Sequence, residues 1–221
     1  GGFIAPLYSL NMADFETQIE GITGLSIDGS SSPTQNEITE YLKDGVIDVT
    51  SRCIQLKPQE AFFFERESSE STSQGGLKNS DGDIISVVRE SGTDADWRPC
   101  QQGSISLQSR YADTNSLFFV SKYNPAYAIG GDGSILVFPA PSAGGTNSYK
   151  VYYVNATPVN TSDVSLIYSH SDINYFPKDK VYLVVLYASI KSLYNKMSSI
   201  HSNTGISTAL SAITTALGSA N

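Results

Sequence analysis

The sequence predicts an α+β protein in which two main helices form a bundle that carries an inserted antiparallel β region. Apolar residues follow helical spacing over about residues 32–56 and 177–198. Between them, over about residues 59–155, short β-branched and aromatic runs alternate with Gly, Pro and Asp turns, a pattern typical of a small sandwich or barrel-like fold. An apolar fraction of 40%, with 10% aromatic residues, is enough to build a core.

This pattern divides the 221 residues into five segments. We expect an N-terminal arm, a helical domain made of two separate stretches, a β domain, a link and a C-terminal tail. The predicted bounds are 1–31 for the arm, 32–58 plus 176–198 for the helical domain, 59–155 for the β domain, 156–175 for the link and 199–221 for the tail.

Capping residues predict where the first helices begin and end. In the arm, residues 14–22 form a short amphipathic stretch that Gly24 ends. Ser32 is predicted to be the N-cap of the next helix, with Pro33 at its first position and Gln35 completing a capping box. The apolar stripe of that helix consists of Ile38, Tyr41, Leu42, Gly45, Val46, Val49 and Cys53.

Six short strands are predicted in the β domain from composition and alternation. The glycine-rich run 130–133 is typical of a hairpin turn between two of them. The predicted strands are residues 61–65, 83–90, 104–111, 116–122, 134–138 and 148–155.

The second main helix is predicted to begin with Pro177 at its first position and to end near residue 198. Its residues are apolar nearly all round, which indicates burial on most faces. The tail that follows, 199–221, is rich in Ser, Thr and Ala and carries a thin helical stripe. We expect this tail to become ordered against a partner, because it buries too little to do so alone.

The charge balance excludes some classes of protein. A net charge of −8 and a pI near 4.7 argue against a sequence-reading nucleic-acid binder, which would need Lys and Arg to neutralise phosphates.

The longest apolar run, 181–190, is too short to span a bilayer. Cys53 and Cys100 are predicted to be two free thiols in a reducing cytoplasm, and one disulfide between them is the alternative.

The sequence holds no nucleophile elbow, phosphate-binding loop, dinucleotide-binding fingerprint or zinc-protease motif. His170 and His201 have no Cys, Asp or Glu at metal-ligand spacing. We therefore expect neither catalysis nor a cofactor or metal. Asp94 and Asp96 are interpreted as turn-forming residues, and a weak Ca²⁺ site at this pair stays open as an alternative.

Three segments resemble the head-to-tail adaptor proteins, or connectors, of tailed bacteriophages, in particular the neck proteins of marine phages. The first runs from Met12 to Glu20 and looks like a native start. The second begins with Ser32-Pro33-Thr34 and continues through Asp44-Gly45-Val46 to Arg52, and the third is the Phe176-Pro177 entry into the apolar helix. The resemblance covers about residues 12–198, and the eleven preceding residues and the tail depart from the family pattern.

This resemblance implies a structural virion protein, made in the host bacterial cytoplasm, that forms a homo-oligomeric ring of about twelve copies at the head-tail junction. The implied partners are the portal protein on one side and tail or nozzle proteins on the other. Genomic DNA would pass through the ring without sequence-specific binding, because a field of acidic residues repels the phosphate backbone. No membrane contact is implied.

The expected contact residues lie in two places. The apolar helix and the tail are expected to contact a neighbouring subunit or the portal, and two loops of the β domain are expected to face the tail. The interface candidates are Ile206, Leu210, Ile213, Leu217, Tyr187 and Tyr194, and the loop candidates are Asp132, Gly133, Asp94 and Trp97.

Two other interpretations remain open at this point. One is a different tail protein, such as a terminator, tube or fibre-attachment protein, which the symmetry of the assembly would separate from an adaptor. The other is a non-viral β-sandwich module that binds carbohydrate or peptide, with Trp97 and tyrosines as a platform.

Overall fold

The computed structural model describes residues 13–78, 82–143, 146–155 and 157–218, although several side chains after His201 fall outside this description. The chain has the predicted mixed α+β fold. It divides into a helical unit, Gly1–Thr50 with Pro158–Asn221, and a β unit, Ser51–Thr157. The α-helices are α1 (Phe15–Thr23), α2 (Gln35–Leu56), α3 (Gln108–Ala112) and α4 (Val181–Gly218).

Helix α1 begins and ends where its capping residues predict. Asp14 Oδ1 accepts a hydrogen bond from Thr17 N at 2.8 Å, and Gly24 ends the helix with a φ of +68°. Phe15 and Ile19 are fully buried, and α1 packs on α4. The expectation of an arm over 1–31 is therefore wrong for this helix, which belongs to the core of the helical unit.

Helix α2 buries most of its predicted stripe but begins later than predicted. Its capping box is formed by Thr34 and Glu37: Thr34 Oγ1 accepts from Glu37 N at 3.3 Å, and Glu37 Oε2 accepts from Thr34 N at 2.8 Å. Ser32 is not the cap, because its hydroxyl donates instead to Asn195 Oδ1 on α4, at 2.7 Å. The stripe residues that are buried are Ile38, Leu42, Gly45, Val46 and Val49.

Helix α4 is much longer than predicted. It follows a 3-10 turn, Lys178–Lys180, that Pro177 precedes, and it runs unbroken over 38 residues, or about 57 Å. The prediction that it ends near residue 198, with a separate tail, is wrong. Residues 199–218 contain no proline, which would break the helix. The Thr215 hydroxyl donates a hydrogen bond to the carbonyl oxygen of Ser211, so this polar side chain is satisfied within the helix.

The irregular stretch after the β unit is tied to the helices by its backbone. Phe15 N donates to His170 O at 2.8 Å, and Glu16 N donates to Tyr168 O at 3.0 Å. Tyr168 N donates in turn to Thr39 Oγ1 on α2. Leu166 is fully buried, so this stretch completes the core of the helical unit rather than acting only as a link.

The β unit contains two sheets. The larger has the order β1-β7-β2-β3 with every pair antiparallel, and the smaller has the order β4-β5-β6 with β4 parallel to β5. Neither sheet closes into a barrel over the residues described. The strands are β1 (Glu65–Glu67), β2 (Ile84–Glu90), β3 (Trp97–Pro99), β4 (Gln101–Gln102), β5 (Ala126–Ile129), β6 (Ile135–Phe138) and β7 (Tyr149–Val154).

The two sheets share one hydrophobic core. Tyr149 belongs to it and is fully buried, and its hydroxyl donates to Ile135 O at 3.3 Å and accepts from Leu77 N at 3.1 Å. These two bonds satisfy a polar group that would otherwise be costly to bury. The core cluster consists of Val87, Tyr127, Ile135, Val137, Tyr149 and Val151.

Three of the six predicted strands are present, namely β2, β6 and β7, and the hairpin at 130–133 joins β5 to β6. The other three predictions are wrong. Residues 61–65 lie mostly in a 3-10 helix, Pro58–Phe64, residues 104–111 form a 3-10 turn followed by α3, and residues 116–122 form turns.

Candidate functional site

Helix α4 presents an exposed apolar face. Large side chains recur along it from Tyr182 to Ile200, a distance of about 27 Å. From residue 186 onward most of them follow the alternating three- and four-residue spacing of a helix–helix seam. This face, called here the α4 stripe, consists of Tyr182, Leu186, Ile190, Leu193, Tyr194, Met197 and Ile200, each at least 41% exposed.

The charge distribution sets α4 apart from the rest of the chain. All 22 acidic residues lie outside it, and its only Lys or Arg residues are Lys191 and Lys196. The ammonium group of Lys191 lies 5.5 Å from the centroid of the Tyr187 ring. Two copies of α4 could therefore approach each other without bringing carboxylates together.

The opposite side of α4 is held by an amide network. Asn195 Nδ2 donates to Glu37 Oε1 at 3.0 Å and to the Tyr41 hydroxyl at 2.9 Å, while Asn195 Oδ1 accepts from Ser32. The hydrogen bond from the Thr34 backbone lowers the pKa of Glu37, and the Thr34 and Asn195 side chains add to this effect against partial burial. These bonds fix the rotation of α4 about its axis, and so they keep the α4 stripe outside the helical unit.

The six predicted interface residues fall in different environments. Tyr194 is 65% exposed and belongs to the α4 stripe. Tyr187 is half-buried, with its ring against Gly45 of α2. The side chains of the other four lie outside the described part of the structure, although their backbone continues α4: Ile206, Leu210, Ile213 and Leu217.

The sequence predicts a contact role for this helix through Tyr187 and Tyr194, but the other residues of the α4 stripe are not among the predicted interface residues. The prediction that the helix is buried on most faces is wrong, because an open face begins at Tyr182 and continues to Ile200. The signal that could have revealed the stripe is the four-three-four-three spacing of residues 186, 190, 193, 197 and 200.

The two loop candidates lie on the β unit. Asp132 is exposed in the β5–β6 hairpin, where Ser134 donates to its carboxylate and lowers its pKa, and Gly133 follows with a φ of +79°. Asp94 is exposed in the turn between β2 and β3. Its neighbour Asp96 accepts from Ser91 and from Arg98 at 2.9 Å, so that carboxylate is already paired within the protein.

Trp97 is half-buried at the start of β3. The ammonium group of Lys150 lies 4.4 Å from the centroid of its ring and covers one face. Lys150 is itself held by Glu67 at 2.8 Å and by Glu70 at 3.3 Å. That face of the indole is therefore not available as a stacking platform for a sugar.

A cavity of about 930 Å³ lies within the β unit. Tyr111, Phe119 and Phe138 form its aromatic wall, and the rings of Tyr111 and Phe138 are 5.2 Å apart at their centroids. Its polar lining residues include Arg89 and Lys122. No Asp or Glu is among the described residues that line it.

The structure offers little to bind a metal. No three His, Cys, Asp or Glu within the described ranges are placed to hold an ion. His170 Nδ1 accepts from Ile167 N at 3.3 Å, and its Nε2 lies 3.3 Å from Asn160 Nδ2, so both ring nitrogens have neighbours in the protein. Over the same residues, no helix combines the length and hydropathy needed to cross a membrane.

Both cysteines are free, as predicted. Burial raises the pKa of the Cys100 thiol to about 12, although the positive charge of Arg89 acts in the opposite direction. A thiol whose pKa is raised by folding stabilises the native state only below its ordinary pKa near 9, and this contribution is lost as the pH rises towards 12.

We expect alkylation of Cys100 at a pH of about 8 to be at least about a hundredfold slower in the folded protein than in concentrated urea, because the thiolate is the reactive form. The measurement uses the Cys53→Ser variant and follows the mass of the protein over time. Equal rates in the two solvents would contradict the burial of this thiol.

Comparison with known proteins assigns no family to the chain: no protein-family model matches it, and no curated protein matches it.

Proposed function

We propose that the protein is a structural subunit that assembles through α4 into a homo-oligomeric ring, as an adaptor at the head-tail junction of a bacteriophage virion. The observation that carries this proposal is the α4 stripe, with its seven large apolar side chains exposed along about 27 Å of one helix. Proteins that remain monomeric rarely expose contiguous apolar surface of this extent.

The packing of α4 also supports an assembly role. The Asn195 network and the buried residues Val184 and Ala188 hold one side of the helix rigidly, so the stripe needs little reorganisation before it binds. Aromatic residues and methionine, which are enriched at protein interfaces, occur in it as Tyr182, Tyr194 and Met197.

The net charge of −8 supports the proposed position around a DNA channel. A ring multiplies this charge by its copy number, and a channel lined by acidic residues repels phosphate groups. The portal protein and the tail proteins are the proposed neighbours of the ring, and genomic DNA is the molecule that passes through it.

Replacing two residues at the centre of the stripe tests the proposal. In the double variant Ile190→Glu/Met197→Glu, assembly should be lost, because carboxylates on facing helices would have to be desolvated in the interface. The mass in solution is measured by light scattering after size-exclusion chromatography, at about 1–100 µM protein because assembly depends on concentration. The wild type should give a ring-sized species and the variant a monomer of about 24 kDa.

Leu117→Glu is the matched control. Leu117 is fully exposed on the β unit, so this variant introduces one carboxylate of the same kind at an apolar surface residue outside the stripe. It should assemble like the wild type. A wild type that remains monomeric over the whole concentration range, or a double variant that still forms the ring, would overturn the proposal. Tight binding of duplex DNA at physiological salt would contradict the proposed channel.

A further inference from the structure

The guanidinium of Arg89 lines the cavity of the β unit although the residue is only 3% exposed. Its Nε donates to Pro139 O at 2.8 Å, and its Nη1 donates to Glu90 O. These two bonds fix the plane of the group. Nη2 makes only long contacts, at 3.4 Å to Ala140 O and 3.5 Å to Asn147 Oδ1, so it keeps donor capacity for a closer acceptor.

No carboxylate in the described part of the chain forms an ion pair with Arg89. The neighbouring acid, Glu90, has one carboxylate oxygen engaged by Ser148 N at 3.0 Å and by Ser148 Oγ at 2.8 Å. Arg98, directly opposite on β3, carries the same charge and is paired with Asp96. Glu90 attracts Arg89 electrostatically but forms no ion pair with it. This buried cation is held mainly by carbonyl dipoles and therefore still favours an added negative charge, because burial without a paired counter-charge is costly.

A second cation contributes to the same cavity. Lys122 Nζ and Asn147 Oδ1 both lie within 4 Å of the point that a Cβ on Gly92 would occupy. Lys122 and Asn147 also both line the cavity. Lys122 is exposed and has no ion pair within the described residues, so its ammonium group is accessible from solvent.

The remaining residues that line the cavity suit a ligand that has an apolar body and polar substituents. The aromatic wall of Tyr111, Phe119 and Phe138 faces a volume of about 930 Å³, within the range of small-molecule sites. Gln74 uses its Oε1 to accept from Val137 N at 3.1 Å, which leaves its amide NH₂ group as a donor. Gln108 adds a further amide at the end of the cavity formed by α3.

We propose that this cavity binds a small organic carboxylate, with its carboxylate between Arg89 and Lys122 and its apolar body against the aromatic wall. A monoanion fits better than a phosphate, because the carbonyl oxygens of Pro139 and Ala140 lie beside the guanidinium and would repel a dianion. This site is separate from the α4 stripe and does not depend on ring assembly.

Benzoate is the probe, and benzamide is its neutral isostere. Their binding to the full chain is measured by chemical-shift changes in protein NMR spectra of the Ile190→Glu/Met197→Glu variant, with inorganic phosphate as the third arm. Benzoate should bind with a Kd of about 1 mM or lower and at least about tenfold more tightly than benzamide or phosphate. Saturable shifts are expected at Gln108, Tyr111 and Asn147.

Lys122→Gln should weaken benzoate binding at least about fivefold without changing the fold, because Lys122 is exposed. Lys78→Gln is the matched control on the same unit, since Lys78 is also exposed and does not line the cavity. Equal affinity for benzoate and benzamide, equal or tighter binding of phosphate, no saturable shift up to about 10 mM, or equal losses in the two lysine variants would each overturn the proposal.

Discussion

Replacing Gly45 by leucine is expected to destabilise the helical unit by about 3 kcal/mol or more. Gly45 of α2 lies directly against Tyr187 and Val184 of α4. A Cβ at this position would lie 3.1 Å from Tyr187 Cδ1 and 3.3 Å from Val184 Cγ1, so a leucine side chain has no space unless the helices separate. Far-UV circular dichroism during urea unfolding measures the loss.

Two alanine variants separate the effect of this contact on stability from the effect of helix propensity. Gly21 lies within α1 with nothing within 4 Å of its Cβ position, so Gly21→Ala should stabilise the protein by about 0.5–1 kcal/mol. Gly45→Ala gains the same propensity but must displace Tyr187 by a few tenths of an ångström, so it should be the less stable of the two. A Gly45→Leu protein as stable as the wild type would show that α2 and α4 do not pack as described.

The boundaries of α1 and α2 show where the local sequence is sufficient to predict a helix boundary and where it is not. Gly24 ends α1 as predicted and Asp14 caps its start, because each acts through backbone groups a few residues away. Both Ser32 with Gln35 and Thr34 with Glu37 satisfy the capping-box pattern. The choice between them depends on Asn195, more than 150 residues along the chain, which engages the Ser32 hydroxyl.

The strands that were predicted wrongly share a short local signal. In residues 104–111, alternation rests on Ile105 and Leu107 alone, and two residues do not distinguish a strand from a helical turn. Ser104 decides the outcome, because its hydroxyl accepts from Ser106 N and caps the 3-10 turn. β2 and β7, by contrast, have long β-branched and aromatic runs whose pattern survives in the structure.

The cavity could not be predicted from the sequence. Its lining comes from separate parts of the chain, including Gln74, Arg89 on β2, Gln108 on α3 and Asn147, and no motif joins them. Arg89 lies within an ordinary apolar strand pattern, where a charged residue is usually interpreted as pointing to solvent. The α4 stripe, in contrast, is visible as spacing in the sequence, although only the structure shows which side of the helix is covered.

Replacing Phe15 by alanine is expected to cost about 3–5 kcal/mol, a large part of the stability of a typical domain. Phe15 is fully buried at the first turn of α1, its backbone N donates to His170 O, and the helix packs on α4. The size of this loss distinguishes a first helix that belongs to the core from the N-terminal arm that the sequence predicts. In an arm outside the core, the same substitution would change the free energy of unfolding by less than about 0.5 kcal/mol.

Ile22→Ala is the matched control, because Ile22 lies on the same helix and is 53% exposed. Two signals separate the units during urea unfolding: far-UV circular dichroism is dominated by the helices, and fluorescence reports the only tryptophan, Trp97, in the β unit. Phe15→Ala should shift the circular dichroism midpoint strongly, and Ile22→Ala should shift it little. Equal small shifts in both variants would show that α1 is an arm and not part of the core. If Phe15 is completely buried, removing its ring must lower the stability, because the substitution leaves a cavity or makes the surrounding residues collapse into it.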